Sequence, residues 1–305
     1  MWKGWSGISI LLGTMTGIMA VSWNLTPTFS HYKETTLVAA SPLSVTASPW
    51  RYNPQQVPKY DTRIHVEAGD RFVTGKTLNT TRDLIETVSL KVVGKNLGVL
   101  PLRTAHILLY ATSDGYIKAV SSVFPQSEVT NATGQTAGFT YQSNIVLPMY
   151  LYSDPAYLAN TLTHELTHVT LNQEELGAEL PTWLNEGFAW YNGLQAERAI
   201  SPVSEQQLFN LLMNGVVSAR NDGKLLPLTA GEDVILHHNA QYNLEFFDYL
   251  AVNHLISTYG IRKFQGFLDN IHGEGLNNSF LHAFGISIQM YESHFYQTFQ
   301  GGQMF

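Results

Sequence analysis

The chain contains no cysteine. Disulfides, thiolate metal sites and a cysteine nucleophile are therefore excluded, and any transition metal must be held by histidine and carboxylate side chains. Charge is also scarce: only 13 % of the 305 residues are Asp, Glu, Lys or Arg, and the formal net charge is −7. The basic footprint that a nucleic-acid partner requires is missing. No internal repeat of about 20 to 50 residues is apparent, which argues against a solenoid. Aromatic residues, in contrast, are plentiful (15 Tyr, 15 Phe, 6 Trp), as suits a packed globular domain.

One long uncharged run is present, from Gly4 to Trp23, preceded by the single charge of Lys3. A short basic start followed by an apolar run has the form of an export signal, and Ala20-Val21-Ser22 supplies small residues suited to cleavage. The alternative is a retained membrane anchor through residues 4–23, since about 20 uncharged residues just span a bilayer. Both place the rest of the chain outside the cytoplasm. A third alternative is a cytosolic chain with an apolar N-terminal strand. Residues 24–79 are rich in Ser, Thr and Pro, follow neither a helical nor a strand period, and suggest a linker or arm. Asn24, Asn79, Asn131 and Asn277 open N-x-S/T triplets, which matter only in a source that glycosylates.

A domain is expected over 80–305. Leu84, Ile85, Val88, Val92 and Val93 share a helical face that ends at Gly98. TAHILLYATS has the form of a buried strand. GYIKAVSSV suggests a second strand or part of a loop, and AGFTYQSNIVLPMYL one or two more strands, broken by Pro148. An edge strand at 137–147 would suit either a structural role or pairing with an extended peptide. From Asp154, an N-cap candidate followed by Pro155, a helix should run without a breaker to Gly177. A second helix follows Pro181, and the rest from about 202 is helical by pattern. A β-containing lobe followed by a mostly helical lobe gives an α+β class.

The first of these helices contains His164-Glu165-Leu166-Thr167-His168. Residues four apart share a helix face, so both imidazoles can reach one metal ion, and Glu165 can lean toward an open coordination position and take a proton from water there. The plain alternative is two histidines on a solvated face. Zinc would need a third protein ligand. Glu186, flanked by Trp183, Leu184, Phe188 and Trp190, is the candidate, because a carboxylate in apolar company is costly to bury unless paired or coordinated. A surface glutamate near a helix N-terminus is its alternative.

HELTH followed by Trp183-Leu184-Asn185-Glu186-Gly187-Phe188-Ala189 resembles the gluzincin metallopeptidases. The second segment is similar to the one that carries the glutamate ligand in M1 aminopeptidases, and residues from about 80 to 299 resemble the compact peptidase MA-like domains. The resemblance implies a zincin-like fold with one zinc ion (Zn2+) per chain on His164, His168 and Glu186. It implies Glu165 as general base, and a peptide or protein substrate. It also implies a tyrosine at the start of a later helix as oxyanion stabiliser. Tyr242 stands at such a start, and a phenol there can donate to developing negative charge; His238 competes for the role. His106, His254, His272, His282 and His294 are expected to be ordinary core or surface residues. Two departures stand out. The spacing from His168 to Glu186 is one residue shorter than the M1 pattern, and the Gly-x-Met-Glu-Asn strand that anchors a free amino group is absent, with AGFTYQSN at a comparable place. Aminopeptidase specificity does not follow. The rivals to a peptidase are an inactive binding protein on the same scaffold and a zinc hydrolase of non-peptide amides.

Overall fold

The computed structural model describes residues 63–124, 129, 136–230 and 242–302, and the backbone of 8–12. The fold is α+β, a mixed sheet combined with many helices. Five strands, β1 (Ile8–Leu12), β2 (Ile64–Ala68), β3 (Ala105–Tyr110), β4 (Thr136–Tyr141) and β5 (Asn144–Pro148), are ordered β1-β4-β5-β3-β2. β2, β3 and β5 run parallel. β4 is antiparallel to β5, and β1 is antiparallel to β4, with Ser9 opposite Thr140. Thus Ile8–Leu12, inside the stretch expected to be a signal or anchor, covers the outer edge of β4. Among the described residues no helix is long and apolar enough to cross a membrane.

Ten α-helices complete the described chain: α1 (Gly75–Leu84), α2 (Leu90–Leu97), α3 (Ser113–Val123), α4 (Pro155–Gln173), α5 (Thr182–Ile200), α6 (Pro202–Asn221), α7 (Leu244–Tyr259), α8 (Ile261–Glu274), α9 (Leu276–Phe284) and α10 (Ile288–Gln300). Strand alternation sends side chains to opposite faces of the sheet. Ile145 and Leu147 of β5 join the main core with α4, while Val146 joins Phe139 in a smaller cluster beneath Tyr116 and Val120 of α3. The sheet is therefore covered on both faces, and α4 lies in the middle of the molecule.

Two expectations are corrected. GYIKAVSSV is neither strand nor loop but lies in α3, whose N-cap Thr112 accepts from Gly115 N–H. Tyr116 and Val120, four apart, are its buried residues; over so short a run a helical stripe is easily taken for alternation. β2 and the first turn of α1 also fall inside the stretch 24–79 assigned to the arm. The β2 residues, Ile64-His65-Val66-Glu67-Ala68, alternate apolar and polar as a strand does, but over only five positions, and only Val66 is buried. The helix expected around 84–98 is interrupted by a π-helical segment, Ile85–Ser89, and closes on left-handed Gly98 at φ 81°. AGFTYQSNIVLPMYL is a hairpin of β4 and β5, with Gln142 at φ 56° in its turn and Pro148 closing β5.

Candidate metal centre

Local sequence builds α4 as expected. Asp154 caps it, its Oδ1 accepting from Ala156 N–H at 2.8 Å, with Pro155 in the first turn. Nearly every residue from Ala156 to Leu171 is buried, so α4 is a core helix with no solvated face. Its threonines satisfy their hydroxyls within the helix: Thr163 donates to Ala159 O, Thr167 to Thr163 O and Thr170 to Leu166 O. A bundle of amides locks it to its neighbours. Asn96 of α2 donates to Asn192 of α5, which donates to Thr167.

α5 starts at Pro181 and brings Glu186 back against α4. Gly187, the next residue, lets α7 approach α5 closely. A Cβ there would lie 2.4 Å from the backbone oxygen of Asp248 in α7. Trp183 and Trp190 flank Glu186 and anchor their indoles on carboxylates, Trp183 Nε1 on Glu292 Oε1 at 2.8 Å and Trp190 Nε1 on Glu245 Oε2 at 2.9 Å.

The result is a convergence of three buried side chains. His164 Nε2 and His168 Nε2 are 2.9 Å apart, and Glu186 Oε2 lies 3.4 Å from the first and 3.2 Å from the second. Both imidazoles are wholly buried. These three form the one group of three or more such side chains, among the described residues, whose ligand atoms gather tightly enough to hold a metal ion. The donor set suits one. His168 Nδ1 lies 3.0 Å from Asn185 Oδ1; the amide oxygen can only accept, so Nδ1 carries the proton and the Nε2 lone pair faces Glu186. Glu186 Oε2 makes no hydrogen bond although buried. A cation between the three atoms would give each of them a partner.

Burial and charge set the three groups apart. Burial pushes His164 down to about 4, against the opposing pull of Glu186, so it is neutral at pH 7. Burial also pulls His168 down, but the charge of Glu186, the contacts its protonated ring would make with Glu186 and Asn185, and the charge of Glu165 outweigh it and raise its pKa, so a proton competes with a metal there. Glu186 is pushed up by burial, yet the two histidines hold it at about 2, so it is a carboxylate. Asp248 contrasts with it: burial, with the nearby charge of Glu186, drives its pKa well above the usual range and keeps it protonated.

Glu165, also wholly buried, receives a hydrogen bond at 2.6 Å on Oε2 from the hydroxyl of Thr140 in β4. The structure thus joins His164, Glu165, His168 and Glu186 in one buried site. Tyr242 is buried at the entrance to α7, where its hydroxyl accepts from Leu226 N–H at 2.9 Å; no contact places it on the triad. His238 lies outside the described residues. Of the other histidines, His106 pairs with Glu67 at 2.7 Å, His254 with the Tyr291 hydroxyl at 3.0 Å, and His272 with Glu174 O at 2.7 Å. Sequence reasoning did not assign roles to Thr140, Asn185 or Asp248. Asn185 stood beside the candidate ligand, which was a usable signal; the other two are brought in by tertiary packing alone.

A family model described as the peptidase MA superfamily matches residues 87–301. No curated protein and no solved structure matches the chain significantly.

Proposed function

From a chain that belongs to the peptidase MA superfamily, and whose two histidines and one glutamate converge on a single point, we propose a zinc-dependent metallopeptidase of gluzincin type. The observation that carries this reading is the buried group of His164, His168 and Glu186 with Glu165 beside it. Two imidazoles, one carboxylate and no thiolate are a ligand set of catalytic rather than structural zinc, with one position left for water or substrate. Zinc, when bound, supplies Lewis acidity toward the scissile carbonyl and lowers the pKa of water.

The chain's own residues do the rest. His164, His168 and Glu186 hold the ion. Glu165 takes the proton from the attacking water and passes it to the leaving amine. Tyr242 or His238 donates to the oxyanion; the bond Tyr242 accepts from Leu226 leaves its phenol still a donor. The substrate is a peptide or protein chain. An extracytoplasmic location, secreted or anchored, belongs to the same proposal and rests on the composition of residues 1–23 alone; the pairing of Ile8–Leu12 with β4 is instead the N-terminal strand of the cytosolic alternative.

The test is turnover of zinc-loaded protein on a peptide library, wild type beside Glu165→Gln. Wild type should cleave, and the variant should keep its zinc and lose a factor of about 10² or more in kcat. A wild type that holds zinc and cleaves no peptide would favour the inactive-scaffold or non-peptide alternatives. Equal rates in both would remove Glu165 from the mechanism.

A further inference from the structure

We propose that Thr140 is a positioning residue for Glu165, its hydroxyl fixing the carboxylate of the general base beside the His164, His168 and Glu186 triad. The proposal rests on the metallopeptidase reading of the site.

Three features of the structure lead to it. First, β4 aims Thr140 at the site. Alternation sends Phe139 into the cluster under α3, and its neighbour Thr140 to the opposite face, against α4. Gly138, two residues before Thr140 on the same face, leaves room for Leu147 of β5, whose Cδ2 a Cβ there would meet at 2.5 Å. Second, the contact is specific. Thr140 Oγ1 lies 2.6 Å from Glu165 Oε2 and 3.2 Å from the backbone oxygen of the same residue. Both atoms are acceptors and the hydroxyl has one proton, so the shorter, charge-assisted bond takes it. Oε2 is thereby engaged, and proton transfer falls to Oε1. Third, Thr140 reaches the site from another element, whereas Thr167 and Thr170 return their hydroxyls to carbonyls of their own helix.

A glutamate base needs such a restraint. His164 and His168 would be oriented by the metal they bind, but Glu165 is not a ligand in this arrangement. It has three rotatable side-chain bonds, the last with a broad torsional well. A base must sit within about 0.5 Å of its working position. Threonine suits the task because its β-branch stiffens χ1, and a strand in the middle of the fold does not swing. Both residues are wholly buried, so water does not compete for the bond.

The test compares Thr140→Val, which keeps the shape and removes the donor, with Thr140→Ser, which keeps the donor. Glu165→Gln and the Thr140→Val/Glu165→Gln double variant complete the set, all in the full zinc-loaded chain. Thr140→Val should lose a factor of about 10 to 100 in kcat, with KM and zinc per chain close to wild type. Thr140→Ser should recover most of the loss, and Thr140→Val should cost nothing further once Glu165 is Gln. A merely structural threonine would instead lower stability and zinc content together and leave kcat per zinc unchanged. Wild-type kcat in Thr140→Val, or equal impairment in the Ser variant, overturns the proposal. If Thr140→Val is harmless while Glu165→Gln abolishes turnover, positioning alone fails. If wild type and Glu165→Gln behave alike, the metallopeptidase reading fails and the role of Thr140 falls with it.

Discussion

His164 Nε2 and His168 Nε2 lie 2.9 Å apart across one turn of a helix buried on every side. Glu186 Oε2 completes the triangle at 3.4 and 3.2 Å, a spacing that suits a shared cation, and several consequences can be measured.

Metal affinity should fall in acid, in two stages. A ligand must lose its proton to bind. His168 has a raised pKa and His164 one near 4. As the pH falls below the raised pKa of His168, one proton competes first, and affinity should then drop about tenfold per pH unit. The slope should steepen only near pH 4, where His164 begins to protonate. Chelator competition between pH 4 and 8 measures this; a flat profile from 7 to 5 would contradict the assignment of His168.

Gly187→Ala should destabilise the protein by about 2 kcal/mol, because overpacking a fixed contact outweighs the helix-propensity gain of alanine. The added Cβ would meet the Asp248 carbonyl at 2.4 Å and Val252 Cγ2 at 2.7 Å. Since Glu186 precedes this residue, zinc affinity should fall as well. Urea unfolding and zinc titration give both values. A variant as stable as wild type would mean that α5 and α7 can part without cost.

Glu197 should make stability pH-dependent. Burial pushes its pKa up to about 7, only partly opposed by the hydrogen bond from Asn160 Nδ2 at 2.7 Å. The folded-state pKa is raised above the unfolded value of 4.5, so the folded protein holds this proton more tightly. Stability from this group is complete below pH 4.5 and is lost as pH rises toward 7. Glu197→Gln should remove that loss and stabilise the protein at pH 8 by about 1 to 2 kcal/mol, with little effect at pH 4.5. Melting temperatures at the two pH values decide it; equal shifts at both would show that ionisation is not the cause.

How much of this was legible in the sequence depends on the reach of each interaction. The buried group of His164, His168 and Glu186 was legible because His164 and His168 are related by helix geometry alone, and Glu186 sits one turn-and-helix later among apolar residues. β3 and the β4–β5 hairpin were legible as apolar runs with a turn between. α3 was misread because Tyr116 and Val120 give too few repeats to separate a helical from a strand period. β2 was overlooked although Ile64–Ala68 alternates apolar and polar residues, because the pattern lasts only five positions. Thr140 could not be assigned: nothing local to AGFTYQSN shows that a strand 25 residues upstream delivers a hydroxyl to Glu165. Asp248 likewise gains its raised pKa only where α7 crosses α5.

The most direct measurement is metal content and stoichiometry of the purified full chain, wild type beside His168→Ala. The account predicts about one zinc per chain in the wild type, in line with a three-ligand site, and its loss in the variant while the fold persists. No zinc in either protein after reconstitution, or equal zinc in both, would contradict it.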